Sequence, residues 1–175
     1  MSMKLTSDRL IFTKYNENDY EDFVKLLMSN KVMKNITGEG MSEKEANEKF
    51  ESAIETNSTT ELGYYSMTQK SDGSYIGLSK LTYFKYEKEE KNTDIVRAEA
   101  GYLLLPEFWG KGYASEITAR LIKYARDIPE IKELVGIVNL PNIASKKVLT
   151  NNGFTLDEKD FYRGIIAEYY KLKLV

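Results

Sequence analysis

The sequence predicts an α/β fold, a mixed sheet with helices on both faces, built as one domain over residues 1–175. Three observations carry that expectation. Strand-like and helix-like runs alternate along the chain with no internal repeat and no low-complexity linker. A length of 175 residues with 42% hydrophobic content suits one domain around one substantial core. A strand-like run over residues 96–105 passes into a turn with glycines on either side of one lysine, and a long amphipathic helix starts straight after it.

The elements follow in order. Residues 10–15 are short, apolar and β-prone, an opening strand. Asp19 is placed to cap a helix that carries Tyr20, Phe23, Val24, Leu26 and Leu27 on one face. Ser42 and Glu45 have the spacing of a capping box, and a second helix with Ala46, Phe50, Ala53 and Ile54 follows. Residues 62–68 and 75–86 are rich in β-formers, and the Ser71, Asp72, Gly73, Ser74 cluster between them predicts a hairpin. Residues 85–94 are dense in charge and are expected to form a solvated hairpin tip. Along the 96–105 strand Arg97, Glu99, Gly101 and Leu103 face one way, and Ala98, Ala100, Tyr102 and Leu104 the other. Gly101 there marks a bulge or a close approach by ligand or backbone. Ala114, Ile117, Thr118, Leu121, Ile122 and Ala125 recur at helical spacing, and that helix stops before Pro129. Residues 134–138 read as a short buried strand, 141–152 as a helix closed by Gly153, and 154–156 and 165–174 as the last strands.

Composition narrows the chemistry. The net charge of -2 arises from interleaved Lys and Glu and lacks the basic face of a nucleic-acid binder. With no cysteine and no histidine there is no disulfide, thiolate nucleophile, zinc cluster of the usual kind, catalytic triad or histidine base. No metal is therefore expected. No apolar run is long enough to cross a bilayer, and residues 1–10 lack a basic segment followed by an apolar one, so the expected location is cytoplasmic with no membrane partner.

The glycine turn, Trp109, Gly110, Lys111, Gly112, Tyr113, Ala114, Ser115, is a place to hold a phosphate. Glycines let the backbone approach a ligand, and the first amides of the helix point outward unpaired at the positive end of its dipole. The alternative is a tight connection and nothing more. A Rossmann site is excluded because its third glycine falls at Ser115, and a phosphate-loop NTPase because no lysine is followed by Ser or Thr at the required spacing.

These residues, with Arg9-Leu10, the Glu99-Ala100-Gly101-Tyr102 strand and the downstream run Asn142, Ser145, Val148, Leu149, Gly153, Phe154, resemble the GNAT superfamily of acyl-CoA N-acyltransferases. The pattern is most similar to its RimJ/RimL-like branch of ribosomal-protein N-terminal acetyltransferases. The resemblance implies a mostly antiparallel twisted sheet in which a splayed strand pair holds coenzyme A. It implies acetyl-CoA as cosubstrate and transfer of its acetyl group to a primary amine, of a peptide N-terminus or a small molecule. Two departures stand out. Trp109 replaces the commoner Gln or Arg, and Leu149 occupies the place where many members carry a tyrosine that protonates the leaving sulfur.

On that resemblance, backbone N–H groups of residues 110–114 bind the pyrophosphate with Lys111 adding charge, and Trp109 and Ser115 flank them. Leu103, Leu104 and Leu105 run beside the pantetheine arm, and an N–H of that strand serves as oxyanion hole. Glu99 is the candidate base, against a surface carboxylate paired with Arg97, and Ser145 the candidate acid, against a helix residue satisfying an amide. Asn142 either contacts the cofactor or caps its helix, and Lys147 either neutralises a phosphate or is a solvated helix lysine. Tyr83, Tyr86, Tyr102 and Tyr169 line an acceptor channel or pack the core. The first two helices, the charged hairpin and residues 157–164 would shape the acceptor site. A catalytically silent CoA-binding sensor or scaffold is the rival function. The C-terminal strand could pair with a second copy, giving a homodimer.

Overall fold

The computed structural model describes residues 5–174. Its elements are β1 (Leu5–Thr6), β2 (Leu10–Lys14), α1 (Tyr20–Met28), α2 (Asn30–Met33), α3 (Glu43–Thr59), β3 (Gly63–Gln69), β4 (Tyr75–Phe84), β5 (Arg97–Leu104), α4 (Tyr113–Arg126), β6 (Glu133–Asn139), α5 (Ile143–Asn151), β7 (Thr155–Tyr162) and β8 (Ile165–Lys173). The eight strands form one sheet in the order β1-β2-β3-β4-β5-β6-β8-β7. Every neighbouring pair is antiparallel except β5 and β6.

The expected two-faced arrangement forms because β5 alternates as its sequence does. Ala98, Ala100 and Leu104 face α4, whose Ile117, Leu121 and Ala125 are buried against them. On the opposite face Leu78 and Leu103 meet α1, α2 and α3 through Phe23, Leu27, Met33 and Phe50. Each such large apolar side chain, fully buried, contributes about 1.5–3 kcal/mol against exposure. The Ser42–Glu45 capping box is present at the start of α3.

Several elements differ from expectation. Asp19 does not cap α1 with its side chain. Asn16 instead caps a 3-10 turn over Glu17–Asp19, and the Asp19 carboxylate accepts the Asn16 N–H at 2.8 Å. The polar stretch after Leu156 extends β7 to Tyr162, because an edge strand exposes its side chains to water and tolerates Asp, Glu and Lys. The charged segment 85–94 is no free tip: Lys88 and Lys91 pair with Asp160 and Glu158 of β7, and Tyr86 is buried. β8 lies between β6 and β7, so its backbone edges are spent within the sheet and the edge strand at this end is β7.

Candidate active site

The site begins where β5 and β6 part. They pair only from Arg97↔Glu133 to Glu99↔Val135, a closed end clamped by the buried Arg97–Glu133 ion pair at 2.7 Å. Beyond it β6 continues with β8 as far as Asn139↔Ala167, while β5 continues with β4 as far as Leu104↔Gly77. The two strands therefore splay, and backbone groups on the β6 side of β5 lose their ladder partners.

Register identifies those groups. Leu105 donates its N–H to Ile76 O at 2.9 Å, and Leu103 O faces Gly77, so odd-numbered residues turn their main chain toward β4. Tyr102 and Leu104 then face the split, because main-chain direction alternates along a strand. The Leu104 carbonyl is already taken by the Trp109 indole N–H at 2.9 Å. This corrects the expectation for Leu103 and Leu105, whose main chain faces β4, and gives Trp109 a bracing role at the end of β5.

At the turn after β5, Gly110 and Gly112 have φ of +69° and +80°. A side chain is strained in that left-handed region, which is why glycine stands at both places. Among the described residues no carbonyl accepts the N–H of Gly110, Lys111, Gly112, Tyr113, Ala114 or Ser115, and the Glu116 N–H is the first to find a partner, Gly112 O. Arg9 holds the turn from outside. Its guanidinium donates to Lys111 O at 3.0 Å, binds Glu116 at 2.7 Å and stacks over the Tyr113 ring, 3.9 Å from its centroid. Glu116 also accepts from Ser7 Oγ and the Arg9 N–H. Burial raises the Glu116 pKa, but these bonds outweigh it and leave the group below its ordinary 4.5. Lys111 is exposed, and Ser115 Oγ accepts from Asn152 Nδ2 of the segment after α5.

The split opens into a cavity of about 420 Å³. Its wall includes Tyr102, Leu103, Gly136, Ser145 and Leu149 together with Lys49, Ser52, Tyr64, Lys80, Glu99, Tyr162 and Arg163. Glu99 pairs with Lys80 at 2.6 Å, and not with Arg97, whose partner is Glu133. The Glu99 side chain is 12% exposed and that of Lys80 17%. Burial would lower the Lys80 pKa, yet Glu99, with Tyr162 and Tyr64, holds it above 10.5. Gly101 makes this possible. It lies opposite Lys80 in an unbroken register, and a Cβ there would stand 3.1 Å from the Lys80 Cε. The close approach marked by this glycine is by a side chain, and there is no bulge.

On α5, Ser145 Oγ and Tyr102 Oη lie 3.1 Å apart across the split. Burial pushes the Tyr102 phenol up, and the Ser145 hydrogen bond opposes that only in part. Asn142 lines the cavity but its side chain caps α5, accepting the Ser145 N–H at 3.2 Å. Leu149 is buried with its methyls 2.8 Å from where a Cβ of Gly136 would stand. Lys147 is exposed and away from the cavity wall.

Residues 9–155, which contain the split strand pair, the turn of open amides and its helix, match the family model described as Acetyltransferase (GNAT) domain. The chain belongs to the GNAT acetyltransferase family. As a GNAT enzyme it is an acetyl-CoA-dependent N-acetyltransferase that transfers an acetyl group to an amine. A curated relative, the FsC-acetyl coenzyme A-N(2)-transacetylase of Aspergillus fumigatus, is 27% identical over 158 residues, covering 90% of this chain and 67% of that protein. The solved structure of the ribosomal-protein α-N-acetyltransferase RimL with coenzyme A shares the fold at a TM-score of 0.76 and 19% identity, covering 98% of each chain. Spermidine N-acetyltransferase from Vibrio cholerae, with CoA and spermine, does so at 0.72 and 19%, covering 94% of this chain and 95% of that one.

The open amides and the free strand edge fit a nucleotide-bearing thioester, and among the described residues no group of acidic side chains is arranged to hold a metal. Of the four tyrosines suggested for an acceptor channel only Tyr102 reaches the cavity; Tyr83 donates to Glu61, and Tyr86 and Tyr169 pack together. Tyr64 and Tyr162 line it instead. The charged segment 85–94 does not reach the wall, whereas Arg163 at the β7–β8 turn does. Sequence reasoning also passed over Lys80, Lys49 and the Arg9–Glu116 brace. Lys80 had a signal in retrospect, since its neighbour across the hairpin is the strand glycine. The other two depend on packing between distant segments. Among the described residues no helix is long and apolar enough to cross a membrane.

Proposed function

We propose that this acetyltransferase acts on a peptide N-terminal α-amine, in the manner of the RimJ/RimL-like branch. The observation that carries this reading is the continuous cavity from the β5–β6 split to Glu99, open beside α3 and the β7–β8 turn. The structural likeness to RimL, a ribosomal-protein α-N-acetyltransferase, supports the branch. The intact GNAT arrangement argues against a silent CoA-binding module.

When bound, acetyl-CoA supplies the activated acetyl thioester. The chain's own residues do the rest. The open N–H groups of Gly110 to Ser115, with Lys111, would hold the pyrophosphate at the positive end of α4. The strand edge of Tyr102 and Leu104 would orient the pantetheine arm, and an N–H there would stabilise charge developing on the carbonyl oxygen. An α-amine has an ordinary pKa near 8, so only modest help is needed to deprotonate it. Glu99 would take that proton directly or through water, with Lys80 fixing its position. Ser145 would protonate the departing sulfur, with the Tyr102 hydroxyl orienting it and water entering the open cavity restoring the Ser145 proton. Asn142 would cap α5, and Lys147 stands as an exposed lysine on the same helix.

A screen of peptide N-termini and small amines with acetyl-CoA, read by released thiol, tests this. The absence of cysteine removes protein background from that readout. Turnover of peptides above small amines is expected; turnover restricted to small amines would overturn the branch reading.

A further inference from the structure

Four charged side chains line the cavity: Lys49, Lys80, Glu99 and Arg163. Lys80 and Glu99 neutralise each other. Lys49 and Arg163 are in no ion pair among the described residues. Arg163 is held over the cavity by the chain itself. Arg163 and Gly164 form the two-residue link between Tyr162 and Ile165, with φ of 51° and 83°, the conformation of a tight hairpin turn. The Glu87 carboxylate takes the Arg163 backbone N–H at 3.0 Å, and the guanidinium lies over the Tyr162 ring, 5.1 Å from its centroid.

Lys49 approaches from the other side, on α3. Burial, then Arg163 and Lys80, lower its pKa from 10.5, so the charges that bear on it are positive. Carboxylates do stand nearby. Glu39, Glu45 and Glu48 line an adjoining groove of about 340 Å³ that shares Lys49 and Ser52 with the cavity. Glu45, however, is bound to the Ser42 N–H and hydroxyl at 2.8 Å each, and Glu48 faces Lys44 at 4.0 Å. The cavity thus carries two cations that repel each other and that no carboxylate among the described residues meets at ion-pair distance, Glu87 being spent on the Arg163 backbone and Glu39 lining only the adjoining groove. Such a pair is stabilised by an anion placed between them, and it disfavours a polycation by the same Coulomb interaction.

We propose that the acceptor is an α-amine bearing a carboxylate within one or two residues, the carboxylate held by Lys49 and Arg163 while the amine lies at Glu99. This rests on the acetyl-transfer site described above and narrows its substrate class to acidic acceptors. Polyamines and aminoglycosides are disfavoured.

The test uses three amidated peptides that begin with serine and differ only at the second and third residues: Glu-Glu, Gln-Gln or Lys-Lys. Free glutamate and spermidine complete the set. Two readouts are taken, thiol release for kcat/KM and calorimetric affinity for the CoA-loaded protein. The Glu peptide is expected to exceed the Gln peptide by about tenfold in both, as two partly exposed charge pairs allow, with the Lys peptide lowest. Lys49→Gln and Arg163→Gln should each bring the Glu-to-Gln ratio toward one, with CoA affinity serving as the check on folding. High salt should shrink the ratio as well. Equal values for the Glu and Gln peptides, better use of the Lys peptide or spermidine, or an unchanged ratio in both variants would overturn the proposal. Turnover of free glutamate without any peptide would overturn the peptide reading and leave the acidic-acceptor inference standing. Absence of thiol release with every acceptor would count against the catalytic roles, and calorimetry would still decide the charge preference.

Discussion

Glu99→Gln removes a candidate base and the partner of a buried lysine in one step, so its two effects have to be separated. Lys80 and Glu99 are 17% and 12% exposed and stand 2.6 Å apart. Removing one member of such a buried pair costs about 3–5 kcal/mol, because the other charge is left unpaired. Lys80 could instead shed its proton, which from an ordinary 10.5 costs about 5 kcal/mol at pH 7, so the ceiling is similar. Taking about 3 kcal/mol, the melting temperature should fall by roughly 6–12 °C for a chain of this size. Turnover should fall by about 10²–10⁴ if Glu99 accepts the proton. The variant Glu99→Gln with Lys80→Met replaces both charges and should recover most of the stability but none of the turnover. Urea denaturation and thiol release on all three proteins read the two effects apart. Recovery of turnover to within about threefold of the wild type in the double variant would refute a catalytic role and reduce Glu99 to a structural partner. The pH dependence is also fixed in sign. A raised Lys80 contributes stability that is complete below 10.5 and is lost as pH rises through its folded value, so this pair should leave stability flat between neutrality and pH 10.5.

Three further outcomes are expected. Gly112→Val forces a branched side chain to φ of +80°, a left-handed strain of about 1–2 kcal/mol, and moves the open amides, so calorimetry should show CoA affinity reduced at least tenfold. Ser145→Ala and Tyr102→Phe should each lower turnover with little change in CoA affinity, and the double variant should lose less than the product of the two, because their hydroxyls are joined at 3.1 Å. Glu116→Gln weakens the brace on the glycine turn; since Glu116 lies below 4.5, its stabilising contribution is full above that pH and is lost as pH falls through its folded value, so acid melting curves of wild type and variant should converge.

The β5–turn–α4 unit was legible because its signals are local. A period of two changes to a period of 3.6 at a pair of glycines, and both halves formed where the pattern put them. The Ser42–Glu45 box was legible for the same reason. What stayed hidden depends on partners far apart in the chain. The split arises because β6 stays with β8 over residues 133–139 but meets β5 only over 133–135, and nothing near residue 100 encodes that. Lys80 reaches Glu99 only once register sets it opposite Gly101. Residues 157–164 read as a loop in sequence, yet residues up to Tyr162 join the edge strand, where Asp160 and Glu158 pair with Lys88 and Lys91. Asp19 misled for a subtler reason: the helix is preceded by a 3-10 turn, and the cap moved to its start at Asn16.

A crystal structure with bound acetyl-CoA would decide where the cosubstrate lies. The pantetheine arm is expected in the gap between Tyr102 and Leu104 on one side and β6 on the other, with phosphate oxygens within hydrogen-bond distance of the main-chain N–H groups of residues 110–115. Coenzyme A bound elsewhere, with those amides in water and β5 and β6 drawn together, would contradict this placement.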